Sequence, residues 1–224
     1  MIKGILNGLK SYGSSLSLIS KLGLWKYFFI PILISLLTAS LIAVLVWQFA
    51  DNMGHWIEQI WPWETGKHAF FIFAEIISAL LIVAIGLILY KHIIMALSAP
   101  FMSPVSEKIE SHLLGETHAY RNTSFKQQLW RGIRINMRNL SIELLLTLPI
   151  LLLNFIPIIG SIVSAVLLFL TQSYYAGFGN MDYTLERHFD YRNSIKFVRK
   201  NRGQAIGNGM VFMLFLLQRL LRLL

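Results

Sequence analysis

At 224 residues, with 55% hydrophobic and only 14% charged, the chain is too apolar for a soluble domain and reads as an all-α integral membrane protein. The absence of cysteine excludes disulfides, thiolate metal sites and cysteine nucleophiles. A formal charge of +9 would suggest nucleic acid in a soluble protein, but here the basic residues flank the apolar runs, so no nucleic-acid partner is expected.

The opening MIKGILNGLKSYGSSLSLIS has no continuous apolar run and no small-x-small cleavage site, so no cleaved signal is expected. Ile2, Ile5, Leu6, Leu9 and Tyr12 recur at helical spacing with Lys3 and Lys10 off that stripe, which predicts an interfacial helix over 1–20. The first long span is placed at 25–50. From Tyr27 to Ala50 no residue is charged, a helix of roughly 36 Å against a hydrocarbon core of about 30 Å. Pro31 falls in its first turn, where a missing backbone donor does least harm.

Residues 51–68 read as an external loop with three interface-seeking aromatics, Trp56, Trp61 and Trp63. The second span is placed at 69–97. Lys3, Lys10, Lys21 and Lys26 precede this pair of spans, and seven Lys or Arg lie between 91 and 143, whereas the connector carries only Lys67. By the positive-inside rule both ends of the pair, and hence the N-terminus, are cytoplasmic. Glu75 is a lone carboxylate inside a span and must face protein or water. Lys91 and His92 read as interface anchors.

Residues 103–142 read as cytoplasmic amphipathic helices. Ser103 and Pro104 carry the signals of an N-cap and first helical residue, with His112 and Gly115 marking the end. A second helix over 125–142 puts Phe125, Leu129, Ile133 and Leu140 near one face. Arg131, Arg134 and Arg138 lie on another, either snorkelling to lipid headgroups or forming a funnel for anions.

The apolar stretch 144–170 is interrupted at Asn154, Pro157, Gly160 and Ser161, and both its flanks are basic. Two complete spans would need about 40 residues, so it reads as a re-entrant hairpin with arms 144–156 and 161–170. A turn at membrane depth must be buried in protein or face water, which makes these four residues pore or structural candidates. The Asn154 amide is suited to freed backbone groups. A second arm starting at Gly160 or Ser161 would aim its positive dipole end at an anion. Residues 171–204 read as cytoplasmic, and 205–224 as one arm of a second hairpin without its return arm.

The six histidines form no HExxH or paired-ligand pattern, and no phosphate loop or nucleophile motif occurs, so no enzyme, metal or cofactor is expected.

Four stretches, LGLWKYFFIPIL (22–33), SAPFMSPVSEKIESHLLG (98–115), LNFIPIIGSIVS (153–164) and MDYTLERHFDYRNSIKFVRKNRGQAIGNGM (181–210), together resemble the CysZ-type sulfate permeases, which share a domain with etoposide-induced membrane proteins. The resemblance implies a surface helix, two long spans and two half-penetrating hairpins, assembled as a homo-oligomer in the inner membrane around a path for sulfate feeding cysteine synthesis. It also implies a sulfate or similar oxyanion site at Gly23, Leu24, Trp25 and Lys26. The family pattern has an arginine where this chain has Trp25, which offers one indole donor and no charge. Lys26 with the amides of Gly23 and Leu24 remains to hold the anion, the alternative being that Lys26 is an ordinary lysine snorkelling to the interface. The competing expectation is a non-conducting membrane scaffold that keeps the family fold.

Overall fold

The computed structural model describes residues 1–58, 67–115, 123–156 and 159–221. Its helices, in chain order, are α1 (Ile2–Lys21), a 3₁₀ segment (Leu24–Phe28), α2 (Phe29–Glu58), α3 (Lys67–Leu114), α4 (Phe125–Leu152), a 3₁₀ turn (Leu153–Phe155), α5 (Ile159–His188), α6 (Tyr191–Lys200) and α7 (Arg202–Leu221). No strand occurs among the described residues. Four stretches of them are long and apolar enough to cross a bilayer: Leu24–Phe49, Ile88–Leu114, Phe125–Phe155 and Ile159–His188. The chain is an all-α membrane protein.

Two compact units are distinguished: Ile32–Ile94, and Met1–Pro31 together with Met95–Leu224. In the first, α2 and α3 run antiparallel. Ser35 and Tyr90 share a hydroxyl hydrogen bond near one end, and a Cβ on Gly86 would come within 2.7 Å of Ile42 further along the pair. Leu36, Leu37, Leu41 and Trp47 are exposed on α2, as lipid-facing residues are.

In the second unit, α1, α5 and α7 pack through small residues. Gly4 and Gly8 of α1 meet Gly203 and Gly207 of α7 so closely that a Cβ on Gly8 would stand 2.5 Å from the Gln204 carbonyl. On its other side α7 presents Ala205 and Gly209 to Gly177 and Ser173 of α5. Small residues four apart let backbones touch, which is how helices associate where lipid removes any hydrophobic gain between them. The expected N-terminal helix is thus present and docked on α7. Beneath it a core of Ile135, Phe178, Leu185 and Val198 joins α4, α5 and α6.

Four segment boundaries differ from expectation. The expected break at Ser103 does not exist: α3 runs through Pro100 and Pro104 to Leu114 and ends on Gly115, whose positive φ caps it as anticipated. Ser103 is recruited instead by tertiary contacts, donating from Oγ to Glu186 at 2.6 Å. Pro100 deprives the Ala96 carbonyl of its helical donor, and Gly132 lets α4 close in on that carbonyl. Second, α2 continues to Glu58, eight residues into the segment expected as loop, while 59–66 lie outside the described residues.

Third, the helix expected at 125–142 and the arm at 144–156 are one helix, α4, which a Ser124–Gln127 capping box starts where anticipated. Fourth, the arm expected at 161–170 begins at Ile159 and continues to His188, deep into the segment expected as cytoplasmic. Toward the far ends of α4 and α5, Arg131, Asp182 and Arg187 are ion-paired within the unit. The buried face of α4 also differs, comprising Gly132, Ile135, Asn136, Asn139, Leu140 and Glu143, while Phe125 is exposed. Against lipid the apolar side can face outward, so hydrophobic periodicity alone does not identify the protein-facing side.

Candidate anion site and hairpin turn

The first span begins with a sharp turn. Gly23 adopts φ +62, and a Cβ there would meet nothing within 4 Å, so the backbone conformation rather than space selects glycine. Its amide donates to Ser20 O at 3.2 Å, closing α1, and is therefore not directed at a ligand. Leu24 is buried with Ile19 of α1 and Val105 of α3, which makes it the anchor of the turn. Trp25 is exposed, lies against Phe28 with ring centres 5.7 Å apart, and donates its indole N–H to Ser20 Oγ at 3.1 Å.

Lys26 is exposed and places Nζ 5.7 Å from the centre of the Tyr27 ring. A second ammonium stands at the same ring. Lys108 of α3 reaches within 5.0 Å of its centre and donates to Tyr27 Oη at 2.8 Å. Each lysine has three donors, so this pair retains N–H groups for an oxyanion beyond the bond to the phenol. The sequence singled out Lys26 but not Lys108, whose position among SEKIES gave no signal beyond one more positive charge.

At the hairpin turn Asn154 donates to the Leu151 carbonyl and to Ser164 Oγ, each at 3.0 Å, which ties the end of α4 to α5 and adds a second donor at that backbone carbonyl. Gly160 is buried, and a Cβ there would run into the Leu153 carbonyl. Ser161 is exposed. Pro157 lies outside the described residues, as does the side chain of Glu75 on α3. Leu145, Leu148, Leu152, Phe155, Ile159, Ile162 and Val166 are all exposed around this turn.

Toward the other ends of α4 and α5 lies a buried ionic network. Arg131 grips Asp182 with two N–H bonds of 3.2 and 2.9 Å and also donates to Phe189 O and Ser194 Oγ. Arg187 donates to Ser103 O at 3.1 Å and pairs with Glu110 at 2.7 Å, while His188 stands 2.8 Å from the same carboxylate. Arg131 therefore neither snorkels nor guides anions. Arg134 packs over Tyr191 and Arg138 over Phe178, at 4.2 and 5.6 Å from the ring centres. A signal was available: Asp182 and Glu186, four apart in an otherwise apolar helix, require buried partners.

A family model described as Sulfate transporter CysZ/Etoposide-induced protein 2.4 matches residues 11–224, nearly the whole chain. The chain belongs to that family. No curated protein matches it. Membership in a transporter family fits a multi-pass membrane protein with a basic cluster at the start of its first span, and points to an anion as substrate.

Proposed function

We propose that the protein is an inner-membrane permease for a tetrahedral oxyanion, sulfate above all, serving sulfur assimilation as a homo-oligomer and not an enzyme. The observation that carries this reading is the pair of exposed ammonium groups, Lys26 and Lys108, at Tyr27. Two cations flanking one phenol offer a dianion charge and several donors where the family arginine is replaced by Trp25. Anion binding would thus depend on Lys26 and Lys108, with Leu24 and Gly23 building the turn and Trp25 bordering it.

The hairpin supplies a path in this reading. Exposed apolar side chains cluster between Leu144 and Leu167, and the charged residues of α4 and α5 all lie outside that stretch. If only the apolar ends enter the bilayer, 144–152 and 159–170 reach about 14 and 18 Å, half of a core of roughly 30 Å. Both charged ends are then cytoplasmic, as is the N-terminus. The start of α5 at Ile159 brings its positive end toward mid-membrane, which favours an anion there.

The scaffold reading draws support from one feature: the Trp25 indole is engaged by Ser20 and supplies no charge. Equilibrium dialysis of radiolabelled sulfate against the purified protein separates the two. The permease reading expects saturable binding that Lys26→Ala weakens and Trp25→Arg tightens. Absence of binding in the wild type and in Trp25→Arg would favour the scaffold.

A further inference from the structure

We propose that the second unit carries a binding site for one anionic phospholipid, in the cleft where α4, α5, α6 and α7 meet. A cavity of about 510 Å³ opens there, and its lining includes the basic Arg199 and Arg202 as well as the apolar Leu146, Leu170 and Ile206. Tyr174 and Tyr175 also line it. The positive fields of Arg138, Arg199 and Arg202 converge on the Tyr174 phenol.

Three features select a lipid rather than a free ion. The cavity is amphipathic: guanidinium groups hold a phosphate bidentately, while the leucines and isoleucine offer nothing to an inorganic anion but match an acyl chain. Leu146 belongs to the exposed apolar surface of the α4–α5 hairpin and Leu170 follows it along α5, whereas Arg199 and Arg202 come from the α6–α7 junction, so basic and apolar parts meet as headgroup and chain do. The lining tyrosines suit the interface, where a polar tip and an apolar ring are both satisfied. Basic pockets between membrane helices on the cytoplasmic side are suited to acidic headgroups. Arg199 and Arg202 are exposed and come from the C-terminus of α6 and the N-terminus of α7, so an occupied site would also pin α7 against the hairpin.

The test is native mass spectrometry of the full-length protein in detergent, titrated with dioleoylphosphatidylglycerol, dioleoylphosphatidylcholine or inorganic phosphate. The wild type is expected to retain one phosphatidylglycerol per chain and to discriminate against phosphatidylcholine. The double variant Arg199→Gln/Arg202→Gln should weaken that binding about thirtyfold. Lys196→Gln/Lys200→Gln removes the same charge from α6 outside the cleft and should leave binding unchanged, with circular dichroism checking that both variants are folded. Equal retention of the two lipids, equal loss in both double variants, or displacement of the lipid by inorganic phosphate at comparable concentration would overturn the proposal.

Discussion

Single side chains decide whether α3, α4 and α5 hold together. The Arg131 and Asp182 side chains are only 13% and 8% exposed, so neither charge has water to fall back on. Asp182→Leu should cost about 3–5 kcal/mol, because it strands a buried guanidinium. Adding Arg131→Met should restore part of that loss, since no buried charge is then stranded, but not all of it, because Phe189 O and the buried Ser194 Oγ lose their donor. Thermal unfolding in detergent reads both changes. At the turn, Asn154→Leu removes two side-chain hydrogen bonds and should cost about 1 kcal/mol or more, as Ser164 Oγ loses its donor while the Leu151 carbonyl keeps its backbone N–H. Asn154 was legible in the sequence because a lone amide in an apolar run has little else to do. Lys108 was not, since its role depends on a fold that brings it to Tyr27 from 81 positions away.

Among whole elements, the joint between α1 and α7 rests on glycines rather than on large apolar side chains. Gly8→Ile should separate the helices, because its Cβ alone would press on the Gln204 carbonyl and the Asn208 amide. Limited proteolysis near the N-terminus should then accelerate several-fold while the content of helix changes little. The hairpin makes a prediction about depth. The chain has no cysteine, so Phe155→Cys introduces the sole thiol, at the exposed tip. A re-entrant α4–α5 pair predicts that a membrane-impermeant maleimide applied from the side of the membrane opposite the charged ends of α4 and α5 fails to label it, whereas two complete spans would bring it to that side. Hydrophobic runs and turn residues located this element, but its boundaries were misread. The arms were expected to stop short of Glu143 and Gln172, but α4 and α5 continue through both, and the charges further along, Arg131, Asp182 and Arg187, are paired across helices. The proline at 104 misled in the same way: its helix break is prevented by contacts from α4 and α5 that the local sequence does not contain.

For the molecule as a whole, composition and charge asymmetry were sufficient to identify a membrane protein, because the bilayer constrains helix length and loop charge so strongly. Helix partners were less legible, since in lipid they are selected by small residues and polar networks and not by an apolar stripe. The central claim, that this chain conducts an oxyanion past Lys26 and Lys108, belongs to this scale. It is tested most directly by radiolabelled sulfate uptake into proteoliposomes containing wild type, Lys26→Ala or Lys26→Ala/Lys108→Ala, each reconstituted at equal protein content. Uptake by the wild type, a loss of about tenfold or more in the single variant and background in the double variant are expected, each lysine contributing a charge-assisted contact. Wild-type vesicles that take up no more sulfate than empty ones, or uptake unchanged in the double variant, would contradict it.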